Sequence, residues 1–387
     1  MDDTRPPSAT MDEVAALAGV SVSTVSRALR GSTKVRPATR AAVADAAEQL
    51  GFVVSRTASS LATGKVRRVA VLIGAPLTDW FSGRILDGIY DVLRASGFDL
   101  LLYRVHDRAE RDAFFAALPA RRNADAVIVA SFTLADDEQA TLTALGMPVV
   151  YLSQRVPGHA SVGIDDLGAA RRATRLLLGL GHRRFVYLRG RADRGFRWSA
   201  HDRLHGWAAE LDAAGVPSAA RTSLELPLDA SFGDAAAADL LTGSMPVALL
   251  AENDDLALRV LSSLERLGVD VPGDVSIVGF DGQQRALEAG LTTVAQPVEA
   301  LARLAAEAAV ALASGPAPAA LQDDSLELPT TLVLGRTTRA ATSAAGAVGG
   351  AGAGAGGAMA GGADVASRDQ EGSAPGAAAP SGGAGRS

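Results

Sequence analysis

No cysteine occurs in the 387 residues, so disulfide scaffolds, zinc ribbons and thiol catalysis are excluded, and nothing in the composition points to an oxidising compartment. Aromatic side chains make up only 4%, which leaves Val, Leu, Ile and Ala to build the core. With 48% apolar residues there is enough of that material for two or three domains of ordinary size. No apolar run approaches the ~20 residues that a membrane helix needs. The opening MDDTRPPSAT is acidic where a signal peptide would be basic and then apolar. A cytoplasmic protein with no membrane partner is expected.

The formal net charge of -6 is unevenly spread. Residues 1–68 hold ten Lys/Arg against six Asp/Glu, a balance of +4, so the remaining 319 residues carry -10. A small basic head on an acidic body suggests a polyanion partner for the head. Charge alone leaves an ordinary basic patch open as well. From residue 341 onward 30 of 47 residues are Ala or Gly. That composition cannot bury enough surface to offset its ordering entropy, so residues 341–387 are predicted to be a disordered tail.

Between residues 67 and 338 short β-rich runs alternate with helical stretches. RRVAVLIG, DLLLYRV, ADAVIVA and PVVYL form one set of strands; RFVYLRG, PVALLA and DVSIVGF form a second. Helical patterns run over 81–96, 166–180, 199–214, 254–267 and 298–313. Apolar strands joined by crossover helices mean parallel sheets covered on both faces, and two sets mean two α/β lobes.

The first 50 residues show three helical patterns and no strand. Thr10 and Glu13 make a capping box, Val14, Leu17 and Ala18 supply an apolar stripe, and Gly19 stops the helix. Ser21 can cap a second helix running to Leu29. Pro37 suits the first turn of a third helix, which ends at Gly51. This is the helix-turn-helix outline. On the second helix Val25 and Leu29 can face the core, leaving Val22, Ser23, Ser26, Arg27 and Arg30 outward. Short polar side chains let a helix lie deep in a major groove, where Arg27 is suited to a bidentate contact with guanine. A solvated helix face is the plainer reading of the same segment.

The run MDEVAALAGVSVSTVSRALRGSTKVRPATRAAVADAAEQLGF resembles the DNA-binding head of the LacI/GalR family of bacterial transcriptional regulators, and the resemblance continues to about Arg339. It implies that residues 22–30 are the recognition helix; Arg30 stands where the family usually has Asn. Residues 55–64, SRTASSLATG, match the family's hinge helix, which orders over the minor groove when two protomers meet, with Leu61 as the wedge beside Ala58. Val54-Ser55 replaces the usual Pro-Asn before it. The expected DNA contacts are Thr10, Ser21, Val22, Ser23, Thr24, Ser26, Arg27, Arg30, Lys34, Ala58 and Leu61.

The same resemblance implies effector domains like those of periplasmic sugar-binding proteins. Ser199, Arg203 and Gly206 match the ligand-facing helix, and Arg203 is the polar anchor. Asn253, Asp254 and Asp281 follow strands at their carboxyl ends, the edge at which open α/β sheets bind ligands. Trp80, Phe81 and Asp165 face them from the first lobe. Carboxylates, an amide and an Arg around a cleft suit hydroxyl-rich ligands.

Enzyme motifs fare worse. His201-Asp202-Arg203-Leu204-His205 is superficially like H-E-x-x-H, yet Asp replaces the general base and no third ligand is evident. Gly64-Lys65 lacks the upstream Gly and following Ser/Thr of a Walker loop. His182 fits a helix end, a structural place. Neither catalysis, cofactor nor metal is expected.

The expected architecture is an all-α helix-turn-helix head (1–52), a hinge helix and linker (53–66), a two-lobed α/β periplasmic-binding-protein-like domain with two doubly wound parallel sheets (67–340), and the tail (341–387). The expected function is that of a DNA-binding regulator, most simply a repressor, whose hold on a pseudo-palindromic double-stranded operator is set by a small molecule. The cleft composition favours a sugar. A homodimer is expected, with a tetramer as the larger alternative. An activator, a nucleobase corepressor and, least favoured, a binding protein without a DNA role remain the other readings.

Overall fold

The computed structural model describes residues 9–29, 32–52, 65–105, 107–117, 123–132, 134–144, 146–191, 200–315 and 325–341. The predicted hinge and almost all of the predicted tail, along with Arg30, Ala58, Leu61 and Ser199, lie outside them.

Three helices form the head: α1 (Met11–Ala18), α2 (Val22–Leu29) and α3 (Pro37–Gln49). The capping box at Thr10 and Glu13 is present, and Gly19 closes α1 at φ 65°, a left-handed conformation that glycine takes without steric cost. Val14, Ala15, Val25, Ala28, Val43 and Ala46 make one small core. Two details differ from the sequence pattern. Leu17 is 51% exposed and Ala15 takes the inward place on α1. On α2 it is Ala28, with Val25, that is buried, while Leu29 packs at the rim.

The rest is α/β. Along the chain come β1 (Arg68–Ile73), α4 (Trp80–Ala95), β2 (Asp99–Arg104), α5 (Arg108–Ala117), β3 (Ala126–Ala130), α6 (Asp136–Ala144), β4 (Val149–Leu152) and β5 (Ala160–Ile164). Then follow α7 (Asp166–Gly179), β6 (Arg184–Gly190), α8 (Ala200–Ala213), a 3-10 turn (Ser218–Ala220), β7 (Arg221–Leu226), α9 (Phe232–Leu241), β8 (Val247–Ala251) and α10 (Asp254–Arg266). The last elements are β9 (Val275–Asp281), α11 (Gln284–Glu288), β10 (Thr292–Ala295), α12 (Val298–Ser314), β11 (Ser325–Leu328) and β12 (Thr331–Val333).

Two six-stranded sheets result, ordered β11-β5-β4-β3-β1-β2 and β12-β10-β9-β8-β6-β7. The first is parallel throughout; in the second only β12 runs antiparallel, against β10. Strands β3 (AVIVA) and β8 (VALLA) are buried at every position, as strands covered on both faces must be. In each sheet the strand order reverses beside β1 or β6, where the first crossover on one face gives way to the next on the other, so the carboxyl edges at that point open into a crevice.

The lobes are not consecutive in sequence. Helix α12 packs its Val298, Leu301, Ala302 and Ala305 into the first lobe's core, and β11 joins the first sheet before β12 returns to the second. Crossovers therefore fall after β5, after β10 and between β11 and β12. Among the described residues no helix is long and apolar enough to cross a membrane.

Candidate functional site

On the head, the outward face of α2 is built by the burial of the inward one. With Val25 and Ala28 in the core, Val22, Ser23 and Arg27 are exposed and Ser26 is half-buried. Ser21 Oγ accepts from Thr24 N (3.3 Å) and lies 3.0 Å from Ser23 Oγ and 2.9 Å from Thr24 Oγ1. A hydroxyl cluster therefore sits at the start of the helix, where unpaired N–H groups favour an anion. No acid occupies this first turn. Arg27 Nε donates to Ser23 O (3.1 Å), folding the guanidinium along the helix surface. Lys34 is exposed in the loop before α3. Thr10 is also exposed, but its hydroxyl accepts from Glu13 N (3.3 Å) and is engaged in capping.

The second constellation centres on Arg203, which is only 7% exposed. It projects from α8. That helix lies close to α7 because position 206 is glycine: a Cβ there would overlap the Leu167 carbonyl. Arg203 Nε donates to Asp166 Oδ1 (2.7 Å) and Nη1 to the Glu252 carbonyl (2.7 Å). The same Nη1 lies 3.6 Å from Asp281 Oδ1, and the guanidinium carbon stands 3.7 Å from the centre of the Phe280 ring. One cation thus ties the start of α7 to the carboxyl ends of β8 and β9.

Asp281 has φ 112°, a region costly for any residue with a Cβ and kept only when the surroundings fix it. Gln296 supplies part of that restraint, through Nε2 to Asp281 Oδ1 (2.6 Å) and its backbone N to Asp281 O (3.1 Å). Asp254 holds the turn that follows. It is fully enclosed, accepting from Thr293 Oγ1 (2.6 Å) and Gln283 N (2.7 Å). Expected at the ligand, Asp254 instead braces the turn that follows Asp281, because both of its oxygens are already occupied inside the lobe.

Burial dominates the acid–base behaviour here. It raises the pKa of Asp166 and Asp281 to about 6 despite the opposing pull of Arg203, and of Glu252 and Asp254 to about 7. For Arg203 burial works against the charge, but Asp166 and Asp281 outweigh it and keep the guanidinium protonated.

The other expected cleft residues are placed as follows. Asp165 caps α7, its Oδ1 accepting from Gly168 N (2.8 Å), and a Cβ at position 168 would push that carboxylate aside. Asn253 caps α10 through Leu256 N (3.0 Å). Trp80 and Phe81 open α4 and pack partly buried against the first lobe's core. Asp165 and Asp166 line a cavity of about 410 Å³ together with Ser153, Asp202, Leu326 and Glu327, so residues from the first sheet and from the starts of α7 and α8 share one hollow.

Asp166, Glu252, Phe280, Gln283 and Gln296 complete the cluster and were not singled out from the sequence. The first four sit immediately beside, or two residues from, a residue that was, and Gln296 follows a strand that the sequence pattern did not reveal.

Residues 10–55 match the family described as bacterial regulatory proteins, lacI family, and residues 174–338 match the periplasmic binding protein-like domain. The chain is 32% identical over 310 residues to the HTH-type transcriptional regulator GalR of Escherichia coli (strain K12), covering 79% of this chain and 89% of that one. Among solved structures it is similar to the transcriptional regulator CelR–cellobiose complex, with 30% identity, a TM-score of 0.60 and coverage of 85% and 100%. The lac repressor dimer bound to operator and the anti-inducer ONPF shares the fold, with a TM-score of 0.73 at 24% identity and coverage of 86% and 100%.

Proposed function

The chain belongs to the LacI family of bacterial regulatory proteins, and from that premise we propose that it is a cytoplasmic, homodimeric repressor released from, or fixed on, its operator by a sugar. The observation that carries this reading is the Arg203 cluster. A buried guanidinium held by Asp166, beside Asp281 and the Glu252 carbonyl, joins parts of the lobe that a hydroxyl-rich ligand would draw together. Each sugar hydroxyl both donates and accepts, so it pairs with carboxylate and guanidinium alike. The similar CelR structure is a cellobiose complex, which supports a saccharide over a nucleobase.

In this reading Arg203, Asp281, Asn253 and Ser199 hold the ligand from the second lobe, and Trp80, Phe81 and Asp165 from the first. Residues 1–52 read DNA through Val22, Ser23, Ser26, Arg27 and Arg30, with Thr10, Ser21, Thr24 and Lys34 on the backbone. Residues 53–66 form the hinge, whose Ala58 and Leu61 meet the minor groove. Residues 67–340 bind effector and dimerise, and residues 341–387 are dispensable. Ligand and DNA select different arrangements of one dimer, so each changes the other's affinity by the same factor.

The test is a thermal-shift screen of mono- and disaccharides beside nucleobases. A ligand at ~100 times its Kd adds about 2.7 kcal/mol to stability. A sugar that stabilises the protein and alters operator affinity supports the proposal. A nucleobase that does so while every sugar fails replaces the effector assignment.

A further inference from the structure

Helix α8 carries a second chemical feature on the side away from the Arg203 cluster. His201 and His205 are four residues apart and both exposed, whereas Arg203 and Trp207 between and beyond them are buried. The i, i+4 spacing stacks the two imidazoles on one face of the helix, and their ring centres are 5.0 Å apart with the planes at 76°.

That separation can be compared with the demand of a shared metal ion. At a metal–nitrogen distance of about 2.0–2.1 Å each ring centre lies about 3.2 Å from the ion, so the two centres are about 4.5 Å apart for a 90° angle and about 5.2 Å for a tetrahedral one. The observed 5.0 Å falls inside this interval. The ring-centre separation therefore matches that of two imidazoles sharing one ion. Two imidazoles on successive turns are also the part of H-E-x-x-H that binds zinc.

We propose that His201 and His205 form a surface site for a divalent transition-metal ion. Imidazole selects zinc, nickel and copper over magnesium and calcium, which prefer oxygen ligands. Among the described residues no group of three His, Asp or Glu converges on a metal position, so the site is proposed with the two imidazoles as its protein ligands. The chelate spans the turn that contains Arg203. An ion bridging the two rings stiffens that turn, and with it the segment from which the guanidinium reaches Asp166.

Zinc titration of the untagged full-length protein at pH 7.5, followed by calorimetry, tests the site. One zinc per chain is expected, bound at least about tenfold more weakly by His201→Gln and by His205→Gln, since even supporting residues of a metal site cost about 10–100-fold when removed. His159→Gln, in the other lobe, is expected to bind as wild type does. A measurement on the unaltered protein guards against a misfolded variant: substoichiometric copper should broaden the NMR signals of the two α8 imidazoles before those of the other histidines. Absence of zinc uptake by wild type, equal uptake by the variant carrying both His201→Gln and His205→Gln, or first broadening at other histidines would each overturn the proposal.

Discussion

Replacing Arg203 with methionine keeps most of the side-chain stem and removes the charge. Arg203 is 7% exposed, and its guanidinium donates to Asp166 and to the Glu252 carbonyl, both at 2.7 Å. Without it Asp166 and Asp281 are left in an enclosed space with no opposing charge. Removing one partner of such a buried pair costs about 3–5 kcal/mol. The two carboxyls can escape part of that cost by taking up protons. Their pKa values are already raised by burial to about 6 with Arg203 present, and its loss raises them further. At pH 7.5 the folded variant must then hold protons that wild type has released, a cost relative to wild type of about 1.4 kcal/mol per carboxyl for each unit by which its folded pKa rises further, up to the working pH. Urea unfolding followed by tryptophan fluorescence should show a penalty of about 3–5 kcal/mol at pH 7.5 and a clearly smaller one at pH 5.5. A penalty of the same size at both values would mean that packing over Phe280, rather than charge, is what Arg203 contributes. An unchanged midpoint at both would refute the cluster as a stabilising unit.

Other outcomes follow from the same placements. Stability linked to Asp166, Glu252, Asp254 and Asp281, whose folded pKa values are raised to about 6–7, is fully present below the unfolded carboxylate range near 4 and is lost as pH rises through 6–7; Asp254→Asn should flatten that decline in a pH series of urea midpoints, and an unaltered slope would remove Asp254 from it. Arg27→Ala should cost about 1–3 kcal/mol on a selected operator and little on random duplex, measured by fluorescence anisotropy at fixed salt; equal losses would reduce Arg27 to a phosphate contact. Leu61→Ala should weaken specific binding and operator bending together in a gel shift with permuted site positions, leaving the salt-dependent nonspecific component intact; wild-type bending would remove Leu61 as the wedge. Deleting residues 341–387 should leave dimerisation, DNA binding and ligand response unchanged in sedimentation and anisotropy assays, and a monomeric product would show that the tail docks.

The long apolar strands were legible because burial on both faces leaves a run such as AVIVA or VALLA with no polar position. Strand β10 was not, because its TTVA buries threonines whose hydroxyls are satisfied inside the lobe, Thr292 with Thr338 and Thr293 with Asp254, and two buried hydroxyls erase the apolar signal. Edge strands β7 and β11 have no fully buried position, and a four- or six-residue half-exposed run reads as loop. The same limit governs the cleft. Motif matching reaches Arg203, Asp281 and Asn253, but whether Asp165 or its neighbour Asp166 meets the guanidinium depends on where α7 begins. Asp165 is outside the helix as its cap, and Asp166, inside the first turn, is the residue that faces α8. Asp254 illustrates the converse, since a position at a strand's carboxyl end does not distinguish a ligand contact from a brace for its neighbour.

The most direct measurement is operator affinity with and without effector, using wild type and Arg203→Met on one duplex selected by the wild-type protein from a random pool. Anisotropy titrations with each sugar that raises the melting temperature are expected to show the wild-type operator Kd shifting at least about fivefold, the lower end of ordinary allosteric coupling. The variant should bind the same duplex as tightly as ligand-free wild type and ignore the sugar. A sugar that shifts the variant's affinity as much as that of wild type, or a wild-type affinity that no cleft ligand alters, would contradict the assignment of the Arg203 cluster as the switch.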